Sequence, residues 1–110
     1  MIKINVIKNN DAVEKISILG HAGYDIYGKD IVCASVSSIV ITTVNAILRF
    51  DDKALTYDQL KDDLEITINT HSSVTDTLIN NMLELLKELE KNYKKNIKIN
   101  IYGGVQKWWN

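Results

Sequence analysis

The chain has no proline, one cysteine and one arginine, and each shortage removes a class of protein. A lone cysteine, Cys33, cannot close an intrachain disulfide or supply paired thiolates to zinc, which suits a reducing, cytoplasmic setting. Arg49 stands alone against twelve lysines, so bidentate readout of bases or phosphates is scarce. Excess charge of either sign is also missing: the net charge is −1 and the pI about 6.1. Nothing in that balance holds a phosphate backbone, and direct nucleic-acid binding is not expected. The N-terminus, Met1–Lys8, alternates in polarity from its second residue, unlike the basic start and continuous apolar run of a signal peptide. Repeats, low-complexity segments and linkers are absent too. What remains is 110 residues, 45% hydrophobic and 25% charged, the size and balance of a single domain spanning 1–110.

One stretch is unusual. Ile31 to Leu48 runs eighteen residues without a charge, near the lower limit for crossing a bilayer. Ser35, Ser37, Ser38, Thr42, Thr43 and Asn45 load it with polar groups, so a core helix buried on all sides is the expectation, and no membrane partner. Its β-branched residues suit a strand, but twenty residues without a turn signal are too many for one. Asp30 is placed to cap its start, and Asp51-Asp52-Lys53 ends it.

Around this helix the pattern alternates with period two. Residues 2–8 form a half-buried strand, Asn9-Asn10-Asp11 a turn, and Val13, Ile16 and Ile18 mark a second strand ending at Gly20. Gly20 to Asp30, with three glycines around Tyr24-Asp25-Ile26-Tyr27, reads as an irregular, mobile loop. A short strand near 54–57 and a clear one at 64–69 precede a second helix. Ser73, three residues ahead of Asp76, suggests a capping box for it. Val74, Leu78, Met82, Leu85, Leu86, Leu89 and Tyr93 form its apolar stripe, and lysines 87, 91, 94 and 95 suit its C-terminus. Residues 97–102 make a last strand that Gly103-Gly104 breaks, leaving Val105–Asn110 as a tail in which Trp108 and Trp109 either form a contact patch or fold back on the sheet. The fold class is α+β: two helices packed on a largely antiparallel sheet of four or five strands.

Cys33 has two readings. It is a small hydrophobe in a buried helix, or a nucleophile in the first helical turn, where unpaired amides and the dipole favour a thiolate and could hold an oxyanion. His21, twelve residues earlier across the glycine loop, is the natural base for such a thiol. Asp30 caps the helix or orients His21, and as an anion it opposes thiolate formation. Ser37, one turn beyond Cys33 on the same face, hydrogen-bonds the substrate or the thiol, or bonds back to its own backbone. His71, before the second helix, reads as a solvated residue. No metal-ligand spacing and no cofactor motif is present.

Gly20-His21-Ala22-Gly23, then Gly28-x-Asp30-Ile31-Val32-Cys33-Ala34-x-Val36-Ser37, resembles the signature of the ribosomal-processing cysteine proteases, the Prp family. The likeness extends over nearly the whole chain, including strand order and length. It implies a cytosolic bacterial endopeptidase, without cofactor, that removes the N-terminal extension of large-subunit ribosomal protein number twenty-seven. It further implies Cys33 as nucleophile, His21 as general base and acid, and Asp30 and Ser37 at motif positions tied to activity. Gly20 and Gly23 fall in the loop that covers the site, and the resemblance implies a homodimer. Ser35 departs from a position where alanine is frequent. The rival reading is a non-catalytic assembly factor that grips a ribosomal protein without cutting it. A redox sensor is a third, but it lacks a resolving cysteine.

Overall fold

Alternating apolar residues build the sheet, because successive side chains on a strand point to opposite faces. In the computed structural model, which describes residues 1–20, 29–61 and 63–104, these segments are β1 (Ile2–Asn9), β2 (Ala12–Leu19), β3 (Leu55–Gln59), β4 (Leu64–Ile68) and β5 (Ile97–Gly104). They form one sheet in the order β3-β4-β2-β1-β5. Three pairings are antiparallel and β1–β5 is parallel, a pair that no tight hairpin can join and that the chain here connects through both helices. The expected α+β architecture is observed, with β3 two residues longer at its end than 54–57 suggests.

The β1–β2 hairpin turns at Asn10 and Asp11, both with positive φ (52° and 70°). Asn and Asp tolerate this left-handed region better than other residues with a Cβ. Further along, Ile7 faces Lys15 and Lys8 faces Val13, so Glu14 is the extra residue of a β-bulge. The bulge resets the alternation, which is why Val13 and Ile16, an odd number of positions apart, both lie in the core.

Helix α1 (Lys29–Phe50) and helix α2 (Ser73–Asn92) cover one face of the sheet and pack on each other. α1 borders β3, while α2 lies over β2 and β5. Between helices and sheet sits the core: Ile4, Val6, Ile16, Ile18, Leu64 and Ile66 from below, and Val36, Val40, Ile47, Met82 and Leu86 from above. Each fully buried aliphatic side chain contributes about 1.5–3 kcal/mol of transfer free energy.

α1 is not buried all round. Val32, Cys33, Val36, Val40, Val44 and Ile47 face inward, but Ile31 is 60% exposed and Ile41 44%, with Ala34, Ser38, Thr42 and Asn45 also outside. A two-layer fold covers a helix on one side only. Lacking charges, the sequence hides which side is outer, and α1 is by length and composition long and apolar enough to cross a membrane although its inner side is buried in the core. Ser35 and Thr43 return their hydroxyls to the helix, each donating at 2.9 Å to the carbonyl four residues back, Ile31 and Ile39.

α2 also differs in detail from the pattern. Its cap is Ser72, whose hydroxyl accepts from the Thr75 amide at 3.1 Å, and not Ser73. Its buried row is Thr75, Ile79, Met82, Leu83 and Leu86, so Val74 and Leu85 fall outside. Two adjacent apolar rows exist on this helix, and docking selects one. β5 does not stop before its glycines: Gly103 and Gly104 pair with Lys8 and Asn9. Gly103 has φ +81°, and a Cβ there would lie 2.3 Å from the Lys8 carbonyl oxygen, so only glycine fits that close approach. The tail from Val105, including Trp108 and Trp109, lies outside the described residues.

Candidate active site

Helix α1 presents Cys33 to the core side of the molecule. The thiol side chain is 6% exposed, held among the aliphatic residues above the sheet. α1 begins at Lys29, two residues earlier than a cap at Asp30 allows, so Asp30 stands inside the first turn. Helical amides bond to the carbonyl four residues back, so the Cys33 N–H is the first whose partner carbonyl, that of Lys29, belongs to the helix. Cys33 therefore opens the second turn. The amides of Lys29, Asp30 and Ile31, whose helical partners would be residues 25–27 outside the described residues, lie one turn ahead of the thiol. Ser37 is half-buried one turn further on, on the same side as Cys33.

The end of β2 is organised by Gly20. It terminates β2 with φ +71°, and its amide donates to Asp63 Oδ1 at 3.0 Å. Asp63 in turn exchanges backbone hydrogen bonds with Leu60, at 2.8 and 3.3 Å, closing the β3–β4 connection. On its other side, a Cβ at Gly20 would sit 2.9 Å from the Met1 carbonyl oxygen. Gly20 thus occupies the middle of a row running from Leu60 through Asp63 to Met1. It is the last described residue before position 21.

His21 and Gly23 lie outside the described residues, as does the segment between Gly20 and Lys29 that carries the expected loop. The structure thus places Cys33 and Ser37 on one side of α1 and Gly20 at the end of β2, and it does not address the Cys33–His21 pairing. Among the described residues, no group of three or more His, Cys, Asp or Glu side chains is placed to hold a metal.

One polar cluster was not legible as such. His71 is no merely solvated residue: its Nδ1 lies 2.9 Å from Asp76 Oδ1 and its Nε2 2.9 Å from Glu14 Oε2. With both ring nitrogens on carboxylates, the imidazolium is the form that satisfies both contacts. The Asp76 hydrogen bond, chiefly, raises the His71 pKa above 6.5; burial opposes it and Glu14 adds to it. The bulge at Glu14 delivers the second carboxylate, and a lone glutamate in a strand carries no sequence signal of that kind.

Comparisons with known proteins place this arrangement. The profile of the family described as "Cysteine protease Prp" matches residues 1–98. A curated relative from Staphylococcus aureus (strain Mu50), "Ribosomal processing cysteine protease Prp", is 30% identical over 91 residues, 79% of this chain and 86% of its own length. The solved structure of Prp from S. aureus with a covalently linked product peptide superposes with a TM-score of 0.81 at 27% identity, covering 93% of this chain and all of that one. A protein of Streptococcus mutans gives 0.80 at 26% identity, covering 94% of this chain and 95% of its own. With sequence profile and fold agreeing from the first strand to the last, the chain belongs to the Prp family of cysteine proteases.

Proposed function

We propose that this protein is a cytoplasmic cysteine endopeptidase that removes the N-terminal extension of large-subunit ribosomal protein number twenty-seven. The observation that carries the reading is the position of Cys33. The chain's only thiol lies on the buried side of α1, one turn beyond the first described residues of that helix. A relative named for ribosomal processing and solved complexes of Prp with substrate and product peptides support the substrate class. In this mechanism His21 accepts the Cys33 proton as the thiolate attacks the scissile carbonyl. A C–S bond forms, and the oxyanion of the tetrahedral intermediate is held by the amides of the first turn of α1. As the C–N bond breaks, His21 returns the proton to the leaving amine, and water then resolves the thioester. Asp30 and Ser37 act as supporting residues, and Gly20 and Gly23 as backbone that carries His21 to the thiol. No metal or cofactor enters these steps.

A homodimer belongs to the same proposal, supported by the uncharged outer face of α1 around Ile31 and Ile41. Sedimentation velocity tests it: Ile41→Asp should yield monomer, and an unchanged sedimentation coefficient would exclude that face.

Alkylation separates the protease from an inert binding module. Cys33 in the native protein should react with iodoacetamide well below pH 8, and His21→Ala should abolish that reactivity. A thiol that is inert in both, or equally reactive in both, sinks the Cys–His reading.

A further inference from the structure

Among the described residues the sheet ends in two edge strands, β3 and β5, and one of them leads to the candidate site. β3 is an edge strand, and its backbone orientation follows from the bonds that flank it. Leu60 and Asp63 exchange both hydrogen bonds, and at the other end the Asn69 amide donates to the Ala54 carbonyl at 2.8 Å. Antiparallel pairs alternate between bonded and non-bonded, and Leu60–Asp63, Asp58–Glu65, Thr56–Thr67 and Ala54–Asn69 are therefore the bonded set. Leu55, Tyr57 and Gln59 must then turn their N–H and C=O groups away from β4. Among the described residues no strand pairs with that side. The two edges differ in chemistry. On β5 the outward amides are already engaged: Ile97 donates to the Tyr93 carbonyl at 3.1 Å and Ile99 to Glu90 Oε2 at 2.8 Å. On β3 the outward amides of Leu55, Tyr57 and Gln59 have no such partner among the described residues, β3 borders the helix that carries Cys33, and its end at Leu60 joins the row that leads through Asp63 to Gly20.

We propose that the substrate peptide docks as an extra strand on the open edge of β3, paired with the backbone of Tyr57 and Gln59. This rests on the protease reading and adds where the substrate's main chain is held. A strand in that place is directed along the sheet edge towards the start of α1, and main-chain pairing fixes its register while leaving its side chains free to be read elsewhere. The arrangement suits an extended, unstructured extension and excludes a folded segment, which has no free backbone to offer.

The test uses a synthetic peptide spanning the N-terminal extension and cleavage site of the precursor. Gln59→Pro removes an outward amide and leaves the ladder to β4 intact, a position where an edge strand tolerates proline. It should lower kcat/KM for the peptide about threefold to tenfold, the worth of one backbone hydrogen bond, with the rate of Cys33 alkylation by iodoacetamide unchanged. Independently of that variant's folding, single N-methylation along the peptide should depress cleavage at every second residue. In the Cys33→Ala protein, saturating peptide should slow hydrogen exchange at the Tyr57 and Gln59 amides. Cleavage by the native protein with no alternation in the N-methyl series and no protection at these amides overturns the edge and spares the protease. Failure of the native protein to cut the peptide at all overturns both.

Discussion

Replacing Gly20 by alanine tests how the end of the second strand is tied to the site. The residue sits at φ +71°, and the new Cβ would come within 2.9 Å of the Met1 carbonyl oxygen. The left-handed backbone costs a residue with a Cβ about 1–2 kcal/mol. The close contact adds less, because Met1 precedes β1 and can yield. A loss of about 1–2 kcal/mol in a domain of this size lowers the melting temperature by about 5–15 °C. Gly20→Asn separates the two causes: asparagine tolerates positive φ but keeps the Cβ, so whatever stability it recovers measures the backbone part. Differential scanning calorimetry gives the stability and peptide hydrolysis the activity. Since the chain passes directly from Gly20 to His21, kcat/KM should fall by more than the unfolded fraction explains. A variant that melts within 1–2 °C of the native protein, or one that melts early yet retains full kcat/KM, refutes the reasoning.

Two further outcomes follow from the helix α2 start. The His71 pKa is raised by Asp76 and Glu14 in the folded state, so the pairing stabilises fully below the unfolded value of about 6.5 and fades as pH rises through the higher folded value. The melting-temperature difference between native protein and His71→Ala should thus be largest on the mildly acidic side and shrink at alkaline pH. NMR titration should show Asp76→Asn lowering the His71 pKa more than Glu14→Gln, and a pH-independent difference would contradict the assignment. Thr75 Oγ1 is buried with no partner among the described residues. Thr75→Val keeps the shape and should raise stability by about 1 kcal/mol in urea denaturation; a decrease would show that the hydroxyl is satisfied.

Much of this fold is written in polarity. Period-two alternation marks β1, β4 and β5 because one face of the sheet is covered and the other is not. The same pattern fails at Glu14, where a bulge changes parity without any change in residue type, and with it went the link to His71. α1 was legible as a helix by length, but its outer side was not, since polarity cannot separate faces when neither carries charge. On α2 two apolar rows compete, and only packing against β2 and β5 decides between Val74 and Thr75. Gly103 reads as a breaker because a glycine's need for close backbone approach depends on a strand ninety-five residues away, at Lys8. As to the site, the motif from Gly20 to Ser37 identified the family from residues alone. Helix geometry moved Cys33 from the first turn into the second, and so moved the amides proposed for the oxyanion to Lys29–Ile31.

The central claim is that Cys33 cuts the precursor of ribosomal protein number twenty-seven. Intact-mass spectrometry of that precursor, incubated with native protein and with Cys33→Ala, tests it most directly. The native protein should convert the precursor into a shortened chain and one released N-terminal peptide, and the variant should leave the mass unchanged. An untouched precursor with native protein, or the same two products with Cys33→Ala, would contradict the account.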